Sequence, residues 1–82
     1  MPRRRLRGEP GDALTARQRE VTALVCDGLL NKEIGVALGV ATHTVKNLLT
    51  DTYVRLGVTN RVELAVLAVL HPEALDGERS ET

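Results

Sequence analysis

Aromatic side chains are almost missing from this sequence: Tyr53 stands alone, with no Phe and no Trp in 82 residues. Val, Leu, Ile and Ala must fill the core, which suits short helices that pack closely. Cysteine is equally scarce. Cys26 alone excludes an intrachain disulfide and a Cys-based zinc cage, and it fits a reducing, cytoplasmic setting. His43 and His71 lie far apart with no cysteine nearby, so no metal or other cofactor is expected. No apolar run approaches the ~20 residues of a membrane span, so no membrane partner is expected. The opening Met1-Pro2-Arg3-Arg4-Arg5-Leu6-Arg7 turns to Gly and Asp without an apolar stretch, unlike a signal peptide. Patterns of catalysis are missing too. Without a nucleophile–base pair, a phosphate loop or paired carboxylates, the chain does not read as an enzyme.

Excess charge is also lacking, since 11 Lys and Arg balance 11 Asp and Glu. The sum hides a gradient. Residues 1–19 hold six bases against two acids, and residues 71–82 hold four acids against one base. Bulk charge alone therefore attracts no partner. The length leaves room for one small domain that buries about 60% of its unfolded surface.

What is present is helical punctuation. Residues 1–13 are Arg-rich and aperiodic, and read as a basic flexible tail or linker. Thr15 with Gln18 forms a capping box, Val21, Leu24 and Val25 follow at helical spacing, and Gly28 supplies a left-handed stop. Asn31 reads as the next cap, followed by Ile34, Ala37 and Leu38 on one face and Gly39 just past the end. A longer helix starts near Thr42–His43 and runs to Leu56, with Val45, Leu49, Thr52 and Leu56 as its apolar stripe. Asn60 with Glu63 opens a last helix that Pro72 ends near His71. Residues 72–82 read as an acidic flexible tail. The expectation is an all-α, four-helix domain over residues 14–71.

Only Gly39, Val40 and Ala41 separate the second helix from the third, the spacing of a helix-turn-helix. Its second helix can enter a major groove about 12 Å wide. His43, Lys46, Asn47 and Thr50 fall at i, i+3, i+4 and i+7 on the side opposite the apolar stripe. Lys can donate to guanine O6 and N7, Asn can pair with adenine N6 and N7, and Thr can serve base or phosphate. Thr42 and Thr44 suit phosphate near the helix N-terminus, and Lys32 suits the backbone across the groove. The bland alternative is the solvated side of an amphipathic helix.

At these residues the sequence resembles a known family. Leu14-Thr15-Ala16-Arg17-Gln18-Arg19-Glu20-Val21, Gly28-Leu29-Leu30-Asn31-Lys32-Glu33-Ile34, Thr44-Val45-Lys46-Asn47, and Leu56-Gly57-Val58 with Asn60-Arg61 are similar to the LuxR/GerE (NarL/FixJ) DNA-binding domain of bacterial transcription regulators. The likeness covers residues 14–70. It implies a four-helix fold, double-stranded DNA bound through helix three (about residues 43–56), and a homodimer formed through helix four. It makes Thr44 a phosphate anchor, and Lys46 and Asn47 base or phosphate contacts. RNA polymerase or an upstream sensor domain is the further partner it brings to mind.

The departures carry information as well. Gln18 stands where the family has Glu, and Gly35 where it has Ala, a loss of about 1 kcal/mol of helix propensity. Ala41 replaces the Ser that caps the recognition helix, a loss of about 1 kcal/mol unless Thr42 caps one residue later. Leu48 replaces His, Thr52 replaces a core Ile, and Asp51 sets an acid near the DNA side.

Three further readings stay open at this level. Helix four presents Leu64, Ala65 and Ala68 to the core, leaving Val62, Val66, Val69 and Leu70 as an apolar stripe for a two-fold contact or for another part of a larger protein. The Arg3–Arg7 run is a phosphate-tracking arm, a solubilising tail, or the remnant of a linker. The whole chain is a DNA-binding regulator, a protein-interaction module that has lost DNA binding, or the output domain of a larger regulator. Cys26 is expected as a buried structural residue, and Glu33 as an ion-pair partner of Lys32 rather than a DNA contact.

Overall fold

The computed structural model describes residues 13–76. Four helices follow in order, α1 (Ala16–Cys26), α2 (Asn31–Leu38), α3 (Thr42–Leu56) and α4 (Arg61–Leu70), then a 3₁₀ turn over Pro72–Asp76. The expected all-α class holds, with no strand among the described residues. The Arg3–Arg7 run and the chain beyond Asp76 lie outside the described residues.

The helix starts show how local chemistry sets boundaries. Thr15 Oγ1 accepts the Gln18 N–H at 3.1 Å, and Gln18 Oε1 accepts the Thr15 N–H at 3.0 Å, so the capping box closes. Gln18 is itself buried, which its shorter-chain role as a cap does not reveal in the sequence. Asn60 Oδ1 accepts the Glu63 N–H at 2.9 Å, while the Glu63 carboxylate turns back to the Thr59 N–H and hydroxyl at 2.7 and 2.9 Å. Gly28 has φ +88° and Gly39 φ +73°, left-handed stops that spare an L side chain its Cβ clash.

The core is aliphatic, as the near-absence of aromatics requires. Val21, Val25, Ile34, Val45, Leu49 and Leu64 form it, with Leu29, Leu38, Val40, Leu56 and Ala65 packed around them. Each fully buried side chain of this size contributes roughly 1.5–3 kcal/mol. α3 is central, packed against both α1 and α2, while α1 also carries α4. Thr52 replaces the Ile of the family stripe without leaving an orphaned hydroxyl, because its Oγ1 donates to the Leu48 carbonyl at 2.7 Å.

Several expectations are corrected. Asn31 is the first helical residue and not the cap; Leu30 holds the cap position and has no side-chain acceptor to offer. The Glu33 carboxylate, expected beside Lys32, instead accepts the Leu30 N–H at 2.7 Å and closes half of a capping box. Ala37 is exposed, and Gly35 takes its place on the buried side of α2. Cys26 is exposed, not buried, on the last turn of α1. Its thiol pKa is raised, first by partial desolvation and then by the charge of Asp27. The start of the expected acidic tail is ordered into the 3₁₀ turn, whose Leu75 carbonyl accepts the N–H of buried Leu14 at 3.2 Å. Leu14 and Leu75 lie 61 positions apart, beyond the reach of periodicity or caps.

Candidate nucleic-acid interface

The turn between α2 and α3 sets the geometry of the site. The Val40 N–H donates to the Gly35 carbonyl at 2.9 Å, and Gly39 N–H to Val36 at 3.3 Å. A Cβ added at Gly35 would lie 2.7 Å from the Val40 oxygen. Gly35 therefore does more than forgo helix propensity. It lets the chain fold back closely enough for Val40 to pack on the core and for α3 to leave in a new direction.

α3 then divides cleanly. Val45, Leu49 and Thr52 are buried, and His43, Lys46, Asn47 and Thr50 are exposed on the other side with Thr42. Thr44 is half-buried, and Lys32 is exposed on the first turn of α2. The four residues His43, Lys46, Asn47 and Thr50 thus share one accessible side of α3, as their spacing predicts, and Thr42 is exposed at the start of the helix. Thr50 has one constraint the sequence hides: its hydroxyl donates to the Lys46 carbonyl at 3.0 Å, so its oxygen is left to accept. Asp51 is exposed beside it.

The beginning of α3 is open. Ala41 is its N-cap and supplies no side-chain bond, and Thr42 is already helical, so it does not cap one residue later. The Thr44 and Val45 N–H groups reach the Ala41 carbonyl at 3.0 and 3.2 Å. The amides of Thr42 and His43, ahead of them, form the positive end of the helix dipole and have no capping side chain. An anion is the natural acceptor there.

α4 offers the opposite chemistry. Leu64 is fully buried, Ala65 and Ala68 are half-buried, and Val62, Val66, Val69 and Leu70 are 71%, 50%, 69% and 66% exposed. Val58, Val62, Val66, Leu67 and Leu70, with Glu63 and His71, line one shallow groove along the helix, and Ala65, Val66, Val69 and Leu70 line a second. The expected stripe is therefore bare among the described residues.

Two arginines that pattern reasoning left without a role join distant segments. Arg61 Nη1 donates to Asn31 Oδ1 at 2.9 Å, and its Nη2 donates to the Leu29 carbonyl. Arg55 Nη1, near the end of α3, donates to the Ala13 carbonyl at 2.7 Å. All three acceptors lie 30 or more positions away. The Asn60-Arg61 motif flagged one of them; nothing local names what it holds. No group of three or more His, Cys, Asp or Glu side chains gathers as a metal site among the described residues. None of their helices is long and apolar enough to cross a membrane.

Residues 12–68 match the family model GerE, "Bacterial regulatory proteins, luxR family". The putative HTH-type transcriptional regulator YhjB of Escherichia coli (strain K12) is 47% identical over 55 residues, which are 67% of this chain and 28% of that protein. The probable transcriptional regulatory protein SgaR of Hyphomicrobium methylovorum is 39% identical over 64 residues, 78% of this chain and 30% of its own length. The transcriptional regulatory protein LiaR of Bacillus subtilis (strain 168) is 39% identical over 59 residues, covering 72% of this chain and 28% of LiaR. The chain thus spans less than a third of these relatives. With four helices, a tight α2–α3 turn and the family model matched across all but the last two residues of α4, the chain belongs to the luxR family of bacterial regulatory proteins, helix-turn-helix regulators of transcription.

Proposed function

We propose that this chain is a sequence-specific, double-stranded-DNA-binding module of a transcription regulator, working in the cytoplasm with α3 in the major groove. The observation that carries this reading is the exposed polar row of α3, set over an open helix N-terminus. Lys46 and Asn47 read base edges, with Thr50 accepting from a base amino group and His43 at the groove wall. Thr42, Thr44 and the first amides of α3 hold one phosphate run, and Lys32 holds the backbone across the groove. The module binds as a homodimer through Val62, Val66, Val69 and Leu70, because a self-complementary contact dries an apolar stripe by pairing it with itself. Two recognition helices then meet half-sites of an inverted repeat about one helical turn, ~10 bp, apart.

The test is selection from a random duplex pool by the purified chain at about 0.15 M salt. An enriched inverted repeat supports the whole reading. Enrichment of a single half-site keeps DNA recognition and removes the dimer. No retained DNA even at low salt removes the reading altogether.

The zero net charge and the bare α4 stripe favour one alternative, a protein-docking module on the same fold. Salt separates the two, since phosphate contacts weaken steeply as salt rises and apolar docking does not.

A further inference from the structure

Arg61 stands at a junction that neither the core nor local electrostatics explains. It is the first residue of α4, and its guanidinium reaches Asn31, the first residue of α2, and the carbonyl of Leu29, two residues before it. Both positions are positive ends of helix dipoles, where a cation is disfavoured. A neutral donor would be the better local choice. What Arg offers is a planar fork that grips two acceptors in fixed relative geometry, which a Lys ammonium does not reproduce. Each end of this bridge lies one residue from a surface described above. Val62, 71% exposed on the α4 stripe, follows Arg61, and Lys32, exposed on the first turn of α2, follows Asn31. α2 packs chiefly on α3, and α4 on α1, so Arg61 adds a direct polar link from α4 to the start of α2.

We infer that Arg61 is a positioning residue that fixes the orientation of the helix-turn-helix relative to α4, and thereby the half-site spacing a dimer accepts. This rests on the DNA-binding, α4-dimer reading. A residue that only stabilised the fold would change affinity for every site alike. A positioning residue changes the preference between spacings and leaves a lone half-site almost untouched.

The experiment measures binding of the full chain to three duplexes: the selected inverted repeat, the same repeat with its half-sites two base pairs further apart, and one half-site. R61K keeps the charge and loses the fork, and N31A removes one acceptor from the opposite side. Thermal melts establish that each variant is folded, and N31A carries the test if R61K is not. The wild type is expected to prefer the native spacing by about tenfold or more. In R61K and N31A that preference falls about fivefold, half-site affinity stays within about twofold, and the double variant is no worse than R61K alone, as two ends of one bridge require. Unchanged spacing preference in a folded variant overturns the inference, and so does a half-site loss as large as the loss on the repeat. A wild type that ignores the repeat removes the DNA-binding dimer first, and this inference with it, a result distinguishable before any variant is made.

Discussion

α3 and α4 are built alike and finished differently. Each lays an aliphatic stripe against the same small core, with Val45 and Leu49 in one and Leu64 in the other. Each leaves its opposite face in water. On α3 that face is His43, Lys46, Asn47 and Thr50; on α4 it is Val62, Val66, Val69 and Leu70. Packing explains neither difference, because an exposed residue is free to be polar or apolar as far as the fold is concerned. The polar row suits a surface of hydrogen-bonding edges and phosphates. The apolar stripe suits another apolar stripe. On the proposed reading, affinity for DNA in a chain of zero net charge comes from placement, and a dimer would place two polar rows at once.

If this division of labour is right, the two faces fail in different ways. The largest effect is expected from Val66→Glu, which sets a charge in the middle of the α4 stripe. The variant should remain folded, since Val66 is already half exposed. It should sediment as a monomer and bind the inverted repeat about 100-fold more weakly, near 2.7 kcal/mol, while its half-site affinity is kept. A mutant that still sediments as a dimer would remove α4 from the interface.

Gly35→Val attacks the tight turn that sets the direction of α3. The Cβ alone would stand 2.7 Å from the Val40 oxygen, a backbone atom that yields only if the turn opens. Destabilisation of about 1–3 kcal/mol is expected, read from urea melts. For a domain this small, that is a large share of its stability. A wild-type melt for this variant would show that the turn has slack the structure does not display.

Asn47→Ala works on the other face, with no change in melt or oligomeric state. It should cost about 1–3 kcal/mol and relax preference at one base pair, measured against a panel of single-base operator variants. An equal loss on every sequence would reassign Asn47 to a phosphate. Together, Val66→Glu and Asn47→Ala make a double dissociation: one alters assembly without altering base preference, the other the reverse.

Much of this division can be read from the residues alone, and what cannot has a common cause. The capping box at Thr15, the stops at Gly28 and Gly39, the span of α3 and the two faces of α4 all follow from partners within about four positions of each other. The misplaced details depend on contacts far along the chain. Asn31 looks like a cap, but it is already helical and its side-chain oxygen accepts from Arg61, 30 positions away. Gly35 looks like a weak helix residue until Val40 folds back over it. Cys26 sits next to the apolar stripe of α1, yet as the last residue of that helix it is exposed. The candidate DNA row was legible because it lies on one helix. The bridge joining that motif to α4 was not, because it lies between helices.

The smallest expected effect concerns the start of α4. The Glu63 carboxylate accepts the Thr59 backbone N–H and also its hydroxyl, and these bonds hold its pKa below the ordinary carboxylate value, the backbone bond being the larger cause. The bonds favour the ionised form, so the folded pKa lies below the unfolded one. Their contribution is present in full above the unfolded pKa and is lost as pH falls through the folded value. Glu63→Gln should therefore melt slightly below wild type near neutrality, and the gap should close on acidification. A gap that stays constant from pH 7 to well below the carboxylate range would show that the cap works through shape and not charge. Base preference and half-site affinity should not move with it, because Glu63 lies on α4, away from the polar row of α3. A change in base preference in this variant would mean that the two faces are coupled more tightly than separate helices on one core require.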